Sequence, residues 1–342
     1  MTLPEPAAQP PQPRPEQMAD TTHLPRTAVA PQSWYASVAD AKLHWYDLIA
    51  GFPARPDLHD PIGRYQRRMQ FELEAVAAKH HLLLVLTRPP VRFDAASAVH
   101  WGFFFLKLTL PLLVGLEARR DSITFEVKPP FAATLKKPLV HLTPNFVTLN
   151  WGGLAETFSI HDILQAHAPD KVPCRVCHVS QTRDPQALLS RAQLPALQKL
   201  HARHQQELDT LLLVQQLDVQ ATSASGDPAA WPKYAHPSAA AVLQSERTDM
   251  LEAALIRYFE GATPAARKPD ERQLRAARVA AVQEANNLVQ FTIDLQWPEL
   301  GSYDKIGSDH VAAHTRHLLS CFVAHGEVIV STMPPPAPAT GA

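Results

Sequence analysis

The sequence predicts an α+β fold: a small, mostly antiparallel four-stranded sheet with flanking helices, followed by a mainly helical lobe. Three observations lead there. Between Trp101 and Leu164 apolar and polar residues alternate at a period of two in several short runs, the spacing of strands with one buried face. On either side of that stretch apolar residues recur at intervals of three and four, which is helical spacing. Both ends of the chain are rich in proline and poor in large apolar groups, too little buried surface to offset the entropy of ordering. The implied organisation is a disordered tail over 1–31, an α+β domain over 32–170, a mainly helical domain over 171–331 and a disordered tail over 332–342.

Ser33 stands as an N-cap before Trp34, Val38, Ala41, Trp45 and Leu48, one helical stripe that stops ahead of Gly51 and Pro53. Asp60-Pro61 supplies an N-cap and a first-turn proline for a second helix. That helix turns Tyr65, Met69, Leu73 and Val76 inward and Arg64, Arg67, Arg68 and Lys79 outward as a solvated face. The run Leu82-Leu83-Leu84-Val85-Leu86, closed by Pro89-Pro90, predicts a buried strand.

Phe104, Leu106, Leu108 and Leu110 mark one face of the next strand, and Ile123, Phe125 and Val127 a face of its neighbour, with a charged turn over 117–122 between them. Pro129 and Pro130 end that strand, since proline donates nothing to a ladder. Val140 and Leu142 open a third strand before the turn Thr143-Pro144-Asn145, and Val147, Leu149 and Trp151 form a fourth. Gly152-Gly153 turns the chain, and Ser159 N-caps a closing helix that bears Ile160, Ile163 and Leu164. The apolar run from Phe103 to Leu116 is shorter than the ~20 residues of a membrane-spanning helix and is broken by Lys107 and Pro111, so the sequence excludes a membrane span here.

From Asp184 onward the spacing reads as helical: Leu197, Leu200, His204, Leu208 and Leu211 make one stripe. A linker from Thr222 to Ser238 follows, then a helix stopped by Gly261. A second linker, from Thr263 to Pro269, precedes a helix with Arg272, Arg275 and Arg278. The segment over 286–295 reads equally as helix or strand, a last helix runs from Ser308 to Gly326, and a short strand covers Val328 to Val330.

The order of a basic amphipathic helix, about four strands, Pro129-Pro130, the strand start Lys137-Pro138-Leu139-Val140, the Pro144-Asn145 turn and a following helix resembles the ubiquitin-conjugating-enzyme family over residues 61–166. That family's His-Pro-Asn is here Thr143-Pro144-Asn145, and no cysteine lies between Asn145 and Cys174, where its catalytic thiol would follow. The resemblance therefore implies the catalytically inactive branch of the fold, which binds ubiquitin-like or other protein partners without forming a thioester. Thr143, Pro144 and Asn145 would be its partner-binding or structural turn.

Two arrangements point to metals. Cys174-Arg175-Val176-Cys177-His178 has the spacing of c-type haem attachment. It fits equally half of a zinc site completed by His201 and His204, a redox dithiol, or two ordinary cysteines in a loop. In the last expected helix His310, His314, His317 and Cys321 fall on one stripe, where adjacent turns could chelate a transition metal. A second segment would have to complete the tetrahedron.

A net charge of -1 over 342 residues, with 32 Lys and Arg against 33 Asp and Glu, supplies no global field for nucleic acid or anionic membrane. The two arginine groups, Arg64, Arg67 and Arg68 and Arg272, Arg275 and Arg278, would bind nucleic acid only as one merged patch. Three cysteines make no secreted disulfide framework, and the N-terminus lacks the charged-then-apolar design of a signal peptide, which together predict a reducing, cytoplasmic setting. Phosphate loops, nucleophile elbows and His-Glu-x-x-His are absent from the sequence. The expectation is a non-catalytic protein-binding or adaptor component without a cofactor. The alternative is a metal-dependent enzyme or metal-binding protein using zinc at Cys174 and Cys177 or at His310, His314 and His317.

Overall fold

Trp34, Val38, Ala41 and Trp45 recur at helical intervals, yet they lie along one 14-residue strand, β1 (Gln32–Trp45). A β-bulge between Val38 and Asp40 resolves the conflict. Before it the even positions Trp34 and Ala36 are buried in the core; after it the odd positions Ala41, Leu43 and Trp45 are. One extra residue shifts the parity of a period-two pattern and so imitates steps of three and four.

The computed structural model describes residues 31–333 apart from 52, 54, 77–80, 104–105, 129–136, 168–171, 183–206, 224–243, 263, 265–266 and 298–304. Outside the described residues lie the expected tail over 1–31 up to residue 30, the tail over 332–342 from residue 334, most of the linker over 222–238, the stripe from Leu197 to His204, and Phe104, Pro129 and Pro130.

After β1 come α1 (Tyr46–Ala50), α2 (Pro61–Val76) and β2 (His81–Arg88). A hairpin region follows, with β3 (Val91–Phe93), β4 (His100–Trp101), β5 (Lys107–Val114) and β6 (Arg119–Glu126). Next are β7 (Leu139–Leu142), β8 (Phe146–Asn150), β9 (Ala155–Ser159) and α3 (Ile160–His167). The second half contributes β10 (Cys174–Thr182), β11 (Asp209–Ser223), α4 (Gln244–Leu255) running into a π-helical turn (Ile256–Glu260), and α5 (Pro269–Ala285). It ends with β12 (Leu288–Gln296), β13 (Ile306–Gly307), β14 (Arg316–Ala324) and β15 (Glu327–Thr332).

The expected fold is therefore corrected. In place of a small four-stranded sheet and a helical lobe, the chain is mostly β, around a large curled sheet of eight strands in the order β13-β10-β2-β11-β1-β12-β14-β15. Strands β10 to β15 come from residues expected to be largely helical, and they pair with β1 and β2 from the first half, so one sheet spans residue 170. Pairings are antiparallel except β1 with β12 and β10 with β13. Central strands explain the misreading: Leu211, Leu212, Leu213 and Val214 are all buried, and a strand covered on both faces loses the alternation that identifies it.

Curling brings the sheet's ends toward each other. Ile306 of β13, which borders β10, also bridges to His314 just ahead of β14. Helix α4 and its π turn pack against both β10 and β15, with Met250, Leu251, Ala254, Leu255, Ile256 and Phe259 in the core that the sheet surrounds. Gly261 stops that helix at φ 85°, a conformation that favours glycine.

Two small sheets extend the first half: β3-β5-β4 with β6 on β5, and β7-β8-β9. Local signals hold here. Asp60 caps α2 by accepting the Ile62 amide at 3.3 Å. Ser159 and Asp162 form a reciprocal capping box on α3: the Asp162 amide donates to Ser159 Oγ at 3.1 Å, and the Ser159 amide to Asp162 Oδ2 at 2.9 Å. Beneath α2, Tyr65, Met69 and Phe146 make a separate small apolar cluster. Among the described residues no helix is long and apolar enough to cross a membrane.

Candidate functional site

Thr143-Pro144-Asn145 is the tight connection between β7 and β8; its backbone groups and the Thr143 hydroxyl are turned to structural use, while Asn145 Oδ1 is buried with no hydrogen-bond partner among the described residues. The Thr143 amide donates to the Phe146 carbonyl at 2.9 Å, and the Phe146 amide to Thr143 Oγ1 at 3.1 Å. The Pro144 carbonyl accepts from the Phe93 amide and the Asn145 carbonyl from the Ile160 amide, each at 2.9 Å. This turn therefore joins β3, the β7-β8-β9 sheet and the start of α3.

Cys174 and Cys177 do not converge. Both lie on β10 rather than in a loop; Cys174 is buried, with burial pushing its thiol up to about 12, and Cys177 is exposed. A bulge between Val176 and His178 displaces Cys177, whose Sγ lies 3.3 Å from Thr87 Oγ1. His201 and His204 are outside the described residues. Beyond the bulge, Glu260 at the end of the π turn accepts the Val179 amide at 2.7 Å and a two-pronged pair of bonds from Arg267, at 2.9 and 2.7 Å. His178 Nδ1 stands 3.4 Å from the same carboxylate.

The expected helix that aligned His310, His314, His317 and Cys321 is absent: His317 and Cys321 lie on β14, and His310 and His314 precede it. Along a strand, four residues span about 13 Å, against one helical turn of ~5.4 Å, so His317 and Cys321 share the buried face of β14 at a distance beyond joint chelation. His310 is drawn instead to Gly261, where an added Cβ would meet its Nε2 at 2.7 Å. The rings of His314 and His317 lie 5.9 Å apart. Among the described residues no three His, Cys, Asp or Glu side chains are grouped to hold a metal ion.

Sequence reasoning missed a buried charge cluster at the junction of β1, β2 and β11. Arg88 and Asp209 are fully buried partners at 3.1 Å, and Arg92 reaches the second oxygen of Asp209 at 2.7 Å. Both guanidinium groups face the Trp45 ring, at 6.0 and 5.0 Å. Asp209 also accepts from Arg88 Nε at 3.2 Å and from the Val91 amide at 3.4 Å, the arrangement of a brace between strands.

The chemically open surface is the outer face of α2. Tyr65 and Met69 point inward as their spacing predicts, and Arg64, Arg67 and Arg68 point outward. These arginines do not simply face water: with Lys42 they surround Leu58 and Phe71, which are 56% and 55% exposed, in a shallow groove of about 600 Å³. Arg67 stacks on Phe71 with its guanidinium carbon 4.1 Å from the ring centre. Arg64 anchors to the carbonyls of Leu58 and His59, each at 3.3 Å, and Arg68 sits 3.9 Å from both Glu72 and Asp162. Phe71 lies off the inward stripe of Tyr65 and Met69, the one sign in the sequence that this face is more than solvated charge.

By contrast, Arg272 and Arg275 of α5 are engaged at home. Arg275 pairs with Glu271 at 3.0 Å and Glu252 at 3.7 Å, and Arg272 donates to the Ala262 carbonyl at 3.1 Å. No protein-family model, curated protein or solved structure matches this chain.

Proposed function

We propose that this chain is a non-catalytic protein-binding component that takes its partner on the outer face of α2. The partner is a protein segment presenting carboxylates on both sides of an aromatic or aliphatic anchor. One observation carries the reading: Leu58 and Phe71 stand exposed within a frame of Lys42, Arg64, Arg67 and Arg68, with Glu72 the one acidic residue lining the groove. Apolar groups rimmed by charge mark interaction surfaces, and arginine and aromatic side chains dominate the energetic centres of interfaces. Three free thiols, two of them buried, support a reducing, cytoplasmic setting.

The test is fluorescence anisotropy with a labelled peptide of alternating Glu and Asp around a central Phe-Leu pair, a Lys-substituted version of it, and a single-stranded oligonucleotide. Saturable binding of the acidic peptide that weakens with salt is expected, together with a loss of about fivefold or more in Phe71→Ala. Arg67→Glu combined with Arg68→Glu should abolish it. Equal affinity for the acidic and basic peptides, or preference for the oligonucleotide, would refute the proposal.

A further inference from the structure

The groove on the outer face of α2 is charged almost wholly in one sense. Lys42, Arg64, Arg67 and Arg68 line it with Glu72 as the one acidic residue, and Leu58 and Phe71 stand exposed among them. The same chain carries the complementary design ahead of β1. Residues 1–30 hold three carboxylates, Glu5, Glu16 and Asp20, and two of these flank one large apolar side chain: Glu16 stands two residues before Met18 and Asp20 two residues after it.

That spacing suits a groove when the segment is extended. Alternate residues of an extended chain share a face, so Glu16, Met18 and Asp20 project together, each carboxylate about 6.6 Å along the chain from the methionine. A helix would instead turn Met18 away from both. Methionine is unbranched and adapts to irregular apolar surfaces, and its sulfur packs favourably on aromatic rings, which Phe71 supplies.

The reach is sufficient. Lys42 lies ten residues beyond Gln32 on β1, a span of about 33 Å. The fourteen residues from Met18 to Gln32 extend to about 46 Å or more, which leaves length for the reversal of direction at the start of β1. A tether of this kind presents the segment to the groove at an effective concentration on the order of millimolar. Contacts too weak to hold a separate peptide then suffice.

We propose that residues 16–20 of the chain itself occupy this groove in extended form, with Met18 on Leu58 and Phe71 and the carboxylates of Glu16 and Asp20 against the four cations. An outside partner binds only by displacing them, so the chain regulates its own docking face. The inference rests on the docking reading given above.

The experiment is the anisotropy titration with the same labelled acidic peptide on three full-length chains. These are the unaltered chain, the triple variant Glu16→Gln, Met18→Ser, Asp20→Asn, and Glu5→Lys, which makes the same change in net charge and leaves residues 16–20 intact. The triple variant should bind the peptide about three- to tenfold more tightly than the unaltered chain, the gain from removing a millimolar tethered competitor whose own dissociation constant is about 0.1–0.5 mM. Glu5→Lys should stay within about twofold at physiological salt, where distant charges are screened. Equal affinities for the unaltered chain and the triple variant would overturn the inference and leave the docking face standing, as would equal tightening in both variants. Absence of peptide binding to all three chains would remove the docking face, and this inference with it. Sedimentation equilibrium separates the remaining case: self-association of the unaltered chain that the triple variant loses would put the segment on a second copy and overturn its assignment to its own chain.

Discussion

Tyr258 donates its hydroxyl proton to Nδ1 of His317 at 2.9 Å, and the same imidazole donates from Nε2 to the Ile306 carbonyl at 2.7 Å. The carbonyl can only accept, which fixes the proton on Nε2 and leaves Nδ1 as the acceptor for the phenol. The chain ties three elements together: the π turn through Tyr258, β14 through His317 and β13 through Ile306. It thereby holds the curl of the large sheet around its central helix.

Tyr258→Phe removes one bond and strands a buried ring nitrogen. The expected loss is about 1–3 kcal/mol, read by urea denaturation. A change smaller than ~0.5 kcal/mol would mean that the ring finds another partner. Tyr258→Phe with His317→Leu should recover part of the loss, since both polar partners then go.

Acid should destabilise the fold earlier than carboxylate titration would. Burial pushes His44, His161 and His317 down to about 3, 3 and 4, whereas an unfolded histidine titrates near ~6.5. Protons therefore favour the unfolded chain. The stability these rings contribute is complete above that unfolded value, falls as the pH drops below it, and is exhausted only once the folded values are passed. Each ring adds a slope of up to ~1.4 kcal/mol per pH unit. The melting temperature should decline between pH 6.5 and 5, and His317→Gln should flatten part of that decline. A flat profile across that window would rule the effect out.

The pair Glu260 and Arg267 is almost entirely enclosed. Removing one member leaves the other charged and buried, at a cost of about 3–5 kcal/mol, so Arg267→Met should melt far below the parent. Adding Glu260→Leu should restore only part of the difference, because the Val179 amide loses the acceptor that Glu260 provides. Full restoration would show that the bulge of β10 does not need this brace.

Ala39 is the exposed extra residue of the β1 bulge: Val38 faces Leu217 and Asp40 faces Gln216, which are neighbours on β11. Deleting Ala39 keeps every flanking side chain on its own face, and the cost should stay within the ~0.5–3 kcal/mol of an ordinary substitution. Deleting Lys42 instead would reverse Leu43 and Trp45 relative to the core and should abolish cooperative unfolding. Circular dichroism melts of the two deletions separate these outcomes. Equal damage from both would refute the parity account.

What the sequence determined by itself lies within three or four residues of its signal. Asp60-Pro61, the Ser159 and Asp162 box, the stop at Gly261 and the turn at Thr143-Pro144-Asn145 are all settled by a backbone group meeting a nearby side chain or by a dihedral that only certain residues adopt. The inward stripe of Tyr65 and Met69 was legible for the same reason. Tertiary structure alone decided that Trp34 to Trp45 and the segment from Arg316 to Ala324 are strands. In β1 a bulge disguised the period, and over 310–321 the spacing of three histidines and a cysteine suited a helix that the pairing of β14 with β12 and β15 overrode. That choice rests on hydrogen bonds to residues far away in the chain, and no local pattern encodes them. The same long-range pairing spread His317 and Cys321 along a strand, enclosed His44, and left Phe71 exposed among arginines.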